Sequence, residues 1–156
     1  MKALVAYFSP TGTTKGKSME LAADIGGDLF GIRPVQAYSA ADLDWTNPHS
    51  RSSMEMKGNS SVIPEPAETA DLHEYDTLFV GYPIWWNRAP RIIDTFLRME
   101  DLHHVEVIPF ATSGGSGIRN SQLELEKAFP DVRFGQRRLL NGYISPSDLE
   151  IWADQR

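Results

Sequence analysis

Three apolar runs, each delivered into a turn rich in glycine, aromatic or hydroxyl side chains and each followed by a helical pattern, set the narrowest limit on how this chain can fold. Residues 3–8 lead into Ser9-Pro10-Thr11-Gly12-Thr13-Thr14. Residues 77–81 lead into Tyr82-Pro83-Ile84-Trp85-Trp86-Asn87, and residues 105–111 into Thr112-Ser113-Gly114-Gly115-Ser116-Gly117. Near-continuous apolar strands indicate a parallel sheet covered on both faces. Ser18, Met19, Leu21, Ala22 and Ile25 then share a helical face that Gly26-Gly27 ends. Pro90 suits the first turn of a second helix carrying Ile92, Ile93, Phe96 and Leu97, and Ile118, Leu125, Ala128 and Phe129 repeat in a third before Pro130. Ser145-Pro146-Ser147-Asp148 reads as a capping box for a last helix, with Leu149 and Trp152 as its apolar contacts. With two weaker strands at residues 29–33 and 132–140, the alternation predicts one α/β doubly wound domain over residues 1–156.

Residues 38–72 fit this alternation least. Ser39-Ala40-Ala41-Asp42 reads as the cap of a short helix and residues 47–66 as loop. Loops of that length are commonly functional covers or disordered.

All three special turns follow strands, so a parallel sheet gathers them at its carboxyl edge, where open α/β sheets bind ligands. The first turn sets the hydroxyls of Ser9, Thr11, Thr13 and Thr14, and backbone N–H groups from Thr11 onward, at the positive end of a helix. That arrangement suits a phosphate. An ordinary capping turn is the simpler alternative, but four hydroxyls exceed what capping requires. No lysine or arginine lies within the run, so neutral donors must hold the dianion, which fits flavin mononucleotide (FMN) better than a nucleoside triphosphate. The neighbouring Gly12-Thr13-Thr14-Lys15-Gly16-Lys17-Ser18 nearly imitates a nucleotide P-loop, but three residues stand between its glycines instead of four. Gly115-Ser116-Gly117 falls short of an esterase elbow because Ile118 takes the place of the closing glycine.

Tyr7 to Thr14 resembles the phosphate loop of flavodoxins, and the runs Gly81 to Trp86 and Thr112 to Gly117 resemble the flavin-ring loops of a bacterial flavodoxin subgroup. The likeness covers nearly the whole chain in element order. It implies a flavodoxin-like, five-stranded parallel sheet of order 2-1-3-4-5 with helices on both faces, and FMN as cofactor. It also implies a cofactor site made of Ser9, Pro10, Thr11, Gly12, Thr13 and Thr14 around the phosphate, Pro83, Ile84, Trp85, Trp86 and Asn87 against the ring, and Thr112, Ser113, Gly114, Gly115 and Gly117 at its pyrimidine edge. Either tryptophan offers a flat face for the ring, and either is also credible as core. Asn87 stands where the family pattern has glycine; asparagine tolerates the same left-handed backbone. Arg88 and Arg119 flank the loops and are candidates for tempering a negative flavin.

The resemblance implies an electron carrier working between a reductase and acceptor proteins, with no catalytic residue of its own. An FMN-dependent NAD(P)H reductase acting on quinone-type acceptors is the rival reading, and a partner-binding module without FMN a third. Bulk properties narrow the rest. A net charge of −6 with no basic run argues against nucleic acid and against an anionic membrane surface. The absence of cysteine excludes disulfides, thiolate catalysis and iron–sulfur ligation. No apolar run reaches membrane-spanning length, so a cytoplasmic protein, monomer or homodimer, is expected. His49, His73, His103 and His104 read as surface residues with no metal assigned.

Overall fold

The structure, a computed structural model, describes residues 1–58 and 63–154. Its elements run β1 (Ala3–Tyr7), α1 (Thr13–Ile25), β2 (Asp28–Gly31), α2 (Arg51–Lys57), β3 (Thr77–Pro83) and α3 (Arg91–Met99). They continue with β4 (Glu106–Thr112), α4 (Arg119–Ala128), β5 (Arg133–Phe134), β6 (Arg138–Leu139) and α5 (Pro146–Ala153). All pairings in the sheet are parallel, in the order β2-β1-β3-β4-β5, with β6 also on β4. This is the expected flavodoxin-like order.

Alternation along the strands divides the core in two, because successive side chains point to opposite faces. Leu4, Ala6 and Phe8 of the first strand region, Leu78, Val80 and Tyr82 of β3, and Val107 and Ala111 of β4 pack with α3 residues Ile92, Ile93, Phe96 and Leu97 and with Leu125 of α4. Ala3, Val5, Phe79, Ile108 and Phe110 pack on the other face with Leu21 and Ala22 of α1 and Leu149, Trp152 and Ala153 of α5. The Trp152 indole meets Phe79 edge to face at 5.4 Å between ring centroids. Gly81 is required by this packing: a Cβ there would run into the Phe110 ring.

The structure corrects the sequence reading at several points. The segment 132–140, expected as one strand, is two. β5 meets the start of β4 and β6 its end, and the edge chain takes one more residue than β4 to cross the interval, which is a bulge. Within residues 47–66, expected as loop, lies α2, started by Ser50, whose hydroxyl accepts the N–H of Ser53. Residues 59–62 of that stretch lie outside the described residues. Ser39 and Asp42 do exchange capping hydrogen bonds, but only one turn follows them, not a helix. Met19 and Ala128, expected on buried faces, are exposed. Among the described residues no helix is long and apolar enough to cross a membrane.

Candidate functional site

The three turns meet at the carboxyl edge of β1, β3 and β4, and Thr112 joins them. Its carbonyl accepts the N–H of Ile84 at 2.9 Å, tying in the loop after β3. Its hydroxyl lies 2.8 Å from that of Thr14, tying in the start of α1. Both threonines are buried, so this link forms the floor of the site.

In the first loop, Ser9 organises the backbone. Its Oγ accepts the N–H groups of Gly12 at 3.1 Å and Lys15 at 2.9 Å, which leaves the hydroxyl proton available to a ligand. The N–H groups of Thr11, Thr13 and Thr14 have no hydrogen-bond partner among the described residues. Gly12 caps α1 at φ 94°, a left-handed conformation costly for any residue with a Cβ. The Thr11 and Thr13 side chains are exposed beside these donors, whereas the Thr14 hydroxyl is engaged with Thr112. Amides at a helix start and two free-standing hydroxyls thus converge with no cation among them, as a phosphate held by neutral donors requires.

The second loop turns tightly. Trp85 and Arg88 exchange backbone hydrogen bonds of 2.9 and 3.0 Å, with Trp86 at φ 49° and Asn87 at φ 61° between them. Two successive positive φ values define a type I′ turn, common for asparagine and strained for tryptophan. Asn120, at the start of α4, donates its side-chain N–H to the Asn87 carbonyl at 2.8 Å. The two indoles are placed differently. Trp85 is half-buried and meets both Phe8 and Tyr38 edge to face at 5.6 Å between centroids. Trp86 projects from the turn and is 43% exposed.

In the third loop, Ser113 is held by the Asn141 side chain through two hydrogen bonds of 3.0 Å, and its own hydroxyl accepts the N–H of Gly115. Gly114, Gly115 and Gly117 are exposed, and a Cβ at any of them would meet only open space, so a ligand can approach the backbone here closely. Arg88 is paired with Glu124 at 3.4 Å, and Arg119 is exposed.

Between the first two loops lies a cleft of about 520 Å³, walled by Pro10, Thr11, Pro83, Ile84, Trp85 and Trp86 and closed on its far side by Leu43, Trp45 and Ser52. None of these side chains is ionisable. The far wall was not legible in the sequence, although Trp45 stands out as a lone indole in a polar stretch. The wall is fixed by a compact polar cluster. Tyr38 donates to Glu55 Oε1 at 2.6 Å, Arg51 pairs with Glu55 at 3.0 Å, and the Arg51 guanidinium lies 3.7 Å over the Tyr38 ring. Burial, followed by the hydrogen bond to Glu55, pushes the Tyr38 phenol well above its ordinary range, so it remains a hydrogen-bond donor.

The family model for flavodoxin matches residues 2–156. The chain belongs to the flavodoxin family. A solved protein assigned as a flavoprotein from Bacteroides eggerthii is 47% identical to this flavodoxin-family chain, over 98% of this chain and 96% of that one, with a TM-score of 0.93. Another, from Bacteroides uniformis, is 46% identical over 99% and 98% of the two chains, with a TM-score of 0.90. A Lactobacillus acidophilus flavoprotein solved in complex with FMN shares the fold at 21% identity, covering 98% of this chain and 99% of that one, with a TM-score of 0.76. No curated protein sequence matches the chain.

Proposed function

We propose that this flavodoxin-family chain binds FMN in the cleft at the carboxyl edge of the sheet and carries electrons between a reductase and acceptor proteins. The observation that carries the reading is the convergence of N–H groups at Thr11, Thr13 and Thr14, without a partner among the described residues, beside an aromatic cleft with no ionisable side chain among its described lining. The FMN-bound relative from Lactobacillus acidophilus supports the choice of cofactor. Bound FMN supplies the redox chemistry, and the chain holds it. Ser9, Thr11, Thr13 and the α1 amides take the phosphate, with Gly12 leaving room beside them. Trp86 faces the ring, since Trp85 is already packed between Phe8 and Tyr38. The exposed backbone of Gly114 to Gly117 reaches the polar edge of the ring, and Pro10, Ile84 and Leu43 keep water from it. A lining without acid or base suits a carrier, because no proton has to be moved by a side chain. The net charge of −6 steers docking toward basic partner surfaces at low salt.

The purified chain is expected to be yellow, or to take up FMN at micromolar concentration with quenching of flavin fluorescence. Under anaerobic conditions it should be inert to NADH and NADPH and be reduced by a flavodoxin-type reductase. Rapid bleaching by either nucleotide would establish the NAD(P)H reductase in place of the carrier, and failure to take up FMN would remove both.

A further inference from the structure

The turn between α3 and β4 lies on the opposite edge of the sheet from the cleft and carries three metal-ligand side chains in one group. One ligand atom each from Asp101, His103 and His104 lies within 4.8 Å of the other two, and all three residues are exposed. Local bonds already orient them. His104 Nε2 is 2.8 Å from the Leu72 carbonyl oxygen. A carbonyl can only accept, so Nε2 carries the ring proton and Nδ1 keeps an uncommitted lone pair. Fixing one ring nitrogen against a carbonyl is how metal-ligating histidines are commonly held. His103 Nδ1 meets Asp101 Oδ1, and the same carboxylate oxygen accepts the His103 N–H at 3.3 Å. The two imidazoles stand 5.0 Å apart at 63°, so their nitrogens converge without stacking. A hollow of about 550 Å³ opens beside them, lined also by Asp71, His73 and Glu100, which gives a hydrated ion access and a negative surround.

We propose that Asp101, His103 and His104 form a site for a divalent transition metal, with Zn²⁺ the best fit. Two imidazole nitrogens and one carboxylate oxygen suit zinc and its neighbours in the series, whereas Mg²⁺ and Ca²⁺ prefer oxygen alone. Zinc bonds of about 2.0–2.1 Å at tetrahedral angles place ligand atoms about 3.3–3.4 Å apart, so the exposed side chains close on the ion by up to about 1.5 Å. The ion takes the place of the proton between His103 and Asp101: in a neutral His103 ring that proton moves to the outward Nε2, and in an imidazolium, where Nε2 is already protonated, it is released to solvent. Three protein ligands leave the remaining coordination to water. The ion pins the α3–β4 turn to the loop at Leu72 through His104. The site is independent of FMN and works equally with the cofactor bound or removed.

The test is calorimetric titration of Zn²⁺ into the metal-free full chain, in FMN-loaded and FMN-free preparations. Saturable binding of one ion per chain is expected in both, with no comparable heat from Mg²⁺. His103→Ala and His104→Ala should each weaken it at least about tenfold, and the exposed His49→Ala should leave it unchanged. Circular dichroism checks that the variants are folded. Absence of a saturable site overturns the proposal. So does a Zn²⁺ isotherm that survives in the double variant H103A/H104A, or one that requires FMN.

Discussion

The Thr14 and Thr112 hydroxyls, 98 residues apart in sequence, share a buried hydrogen bond of 2.8 Å that locks the start of α1 to the end of β4. Because Thr112 also receives the Ile84 N–H, a single residue sets the distance between all three loops of the proposed FMN site. Thr112→Val keeps the side-chain shape and removes the hydroxyl, so Thr14 is left unpaired in a dry environment. That costs about 1–3 kcal/mol of stability. FMN affinity should fall about tenfold, equivalent to about 1.4 kcal/mol, as read by flavin fluorescence titration alongside urea unfolding. Loss of stability with unaltered affinity would show that Thr112 does not align the loops.

Gly12 sits at φ 94°, and the direction in which a side chain would grow is open. Gly12→Val forces a β-branched residue into the left-handed region at about 1–2 kcal/mol and fills the space the phosphate requires. Affinity for FMN is expected to drop by more than about tenfold. An unchanged titration curve would remove the phosphate from this loop.

The two indoles should separate cleanly. Trp85→Ala removes the half-buried ring that Phe8 and Tyr38 both meet and is expected to cost about 1–3 kcal/mol in chemical denaturation. Trp86→Gly frees a strained left-handed position and should leave the FMN-free protein equally stable or about 1 kcal/mol more stable, while weakening FMN binding. If stability fell and affinity held, Trp86 would be a packing residue and not the ring's wall.

Tyr75 donates to Asp28 Oδ2 at 2.7 Å, and this hydrogen bond, followed by burial, pushes its ionisation up to about 12. The folded chain therefore holds the phenol proton more tightly than the unfolded chain does. The contribution is fully present below the ordinary tyrosine range near 10 and is lost as pH rises through about 12. Tyr75→Phe should abolish that part of the alkaline loss. Parallel pH–stability curves for the two proteins between pH 10 and 12 would contradict the assignment.

Much of the architecture was legible because β1, β3 and β4 are buried on both faces and must therefore be apolar throughout. The loops after them were legible for a different reason: so many hydroxyls and glycines next to such strands exceed what packing and helix capping require. The helix α2 was hidden because the residues it buries include Ser52, Ser53 and Glu55, so no apolar period marks it. Its burial depends on partners distant in sequence, such as Tyr38 for Glu55. Met19 fits the α1 periodicity and is nonetheless exposed, since buried Ser18 and Thr14 shift the covered stripe. The two adjacent tryptophans could not be told apart in the sequence. Only the sign of φ at Trp86 and the rings around Trp85 separate them.

The bulge that splits β5 from β6 also bears on self-association. Each fragment is two residues long, and between them the rim turns its amides out of register. A second molecule seeking to extend the sheet there would find no continuous row of donors and acceptors to copy. The interruption thus guards against fibre-like growth from that side, and a dimer built across this edge has to use side-chain surfaces rather than shared strands.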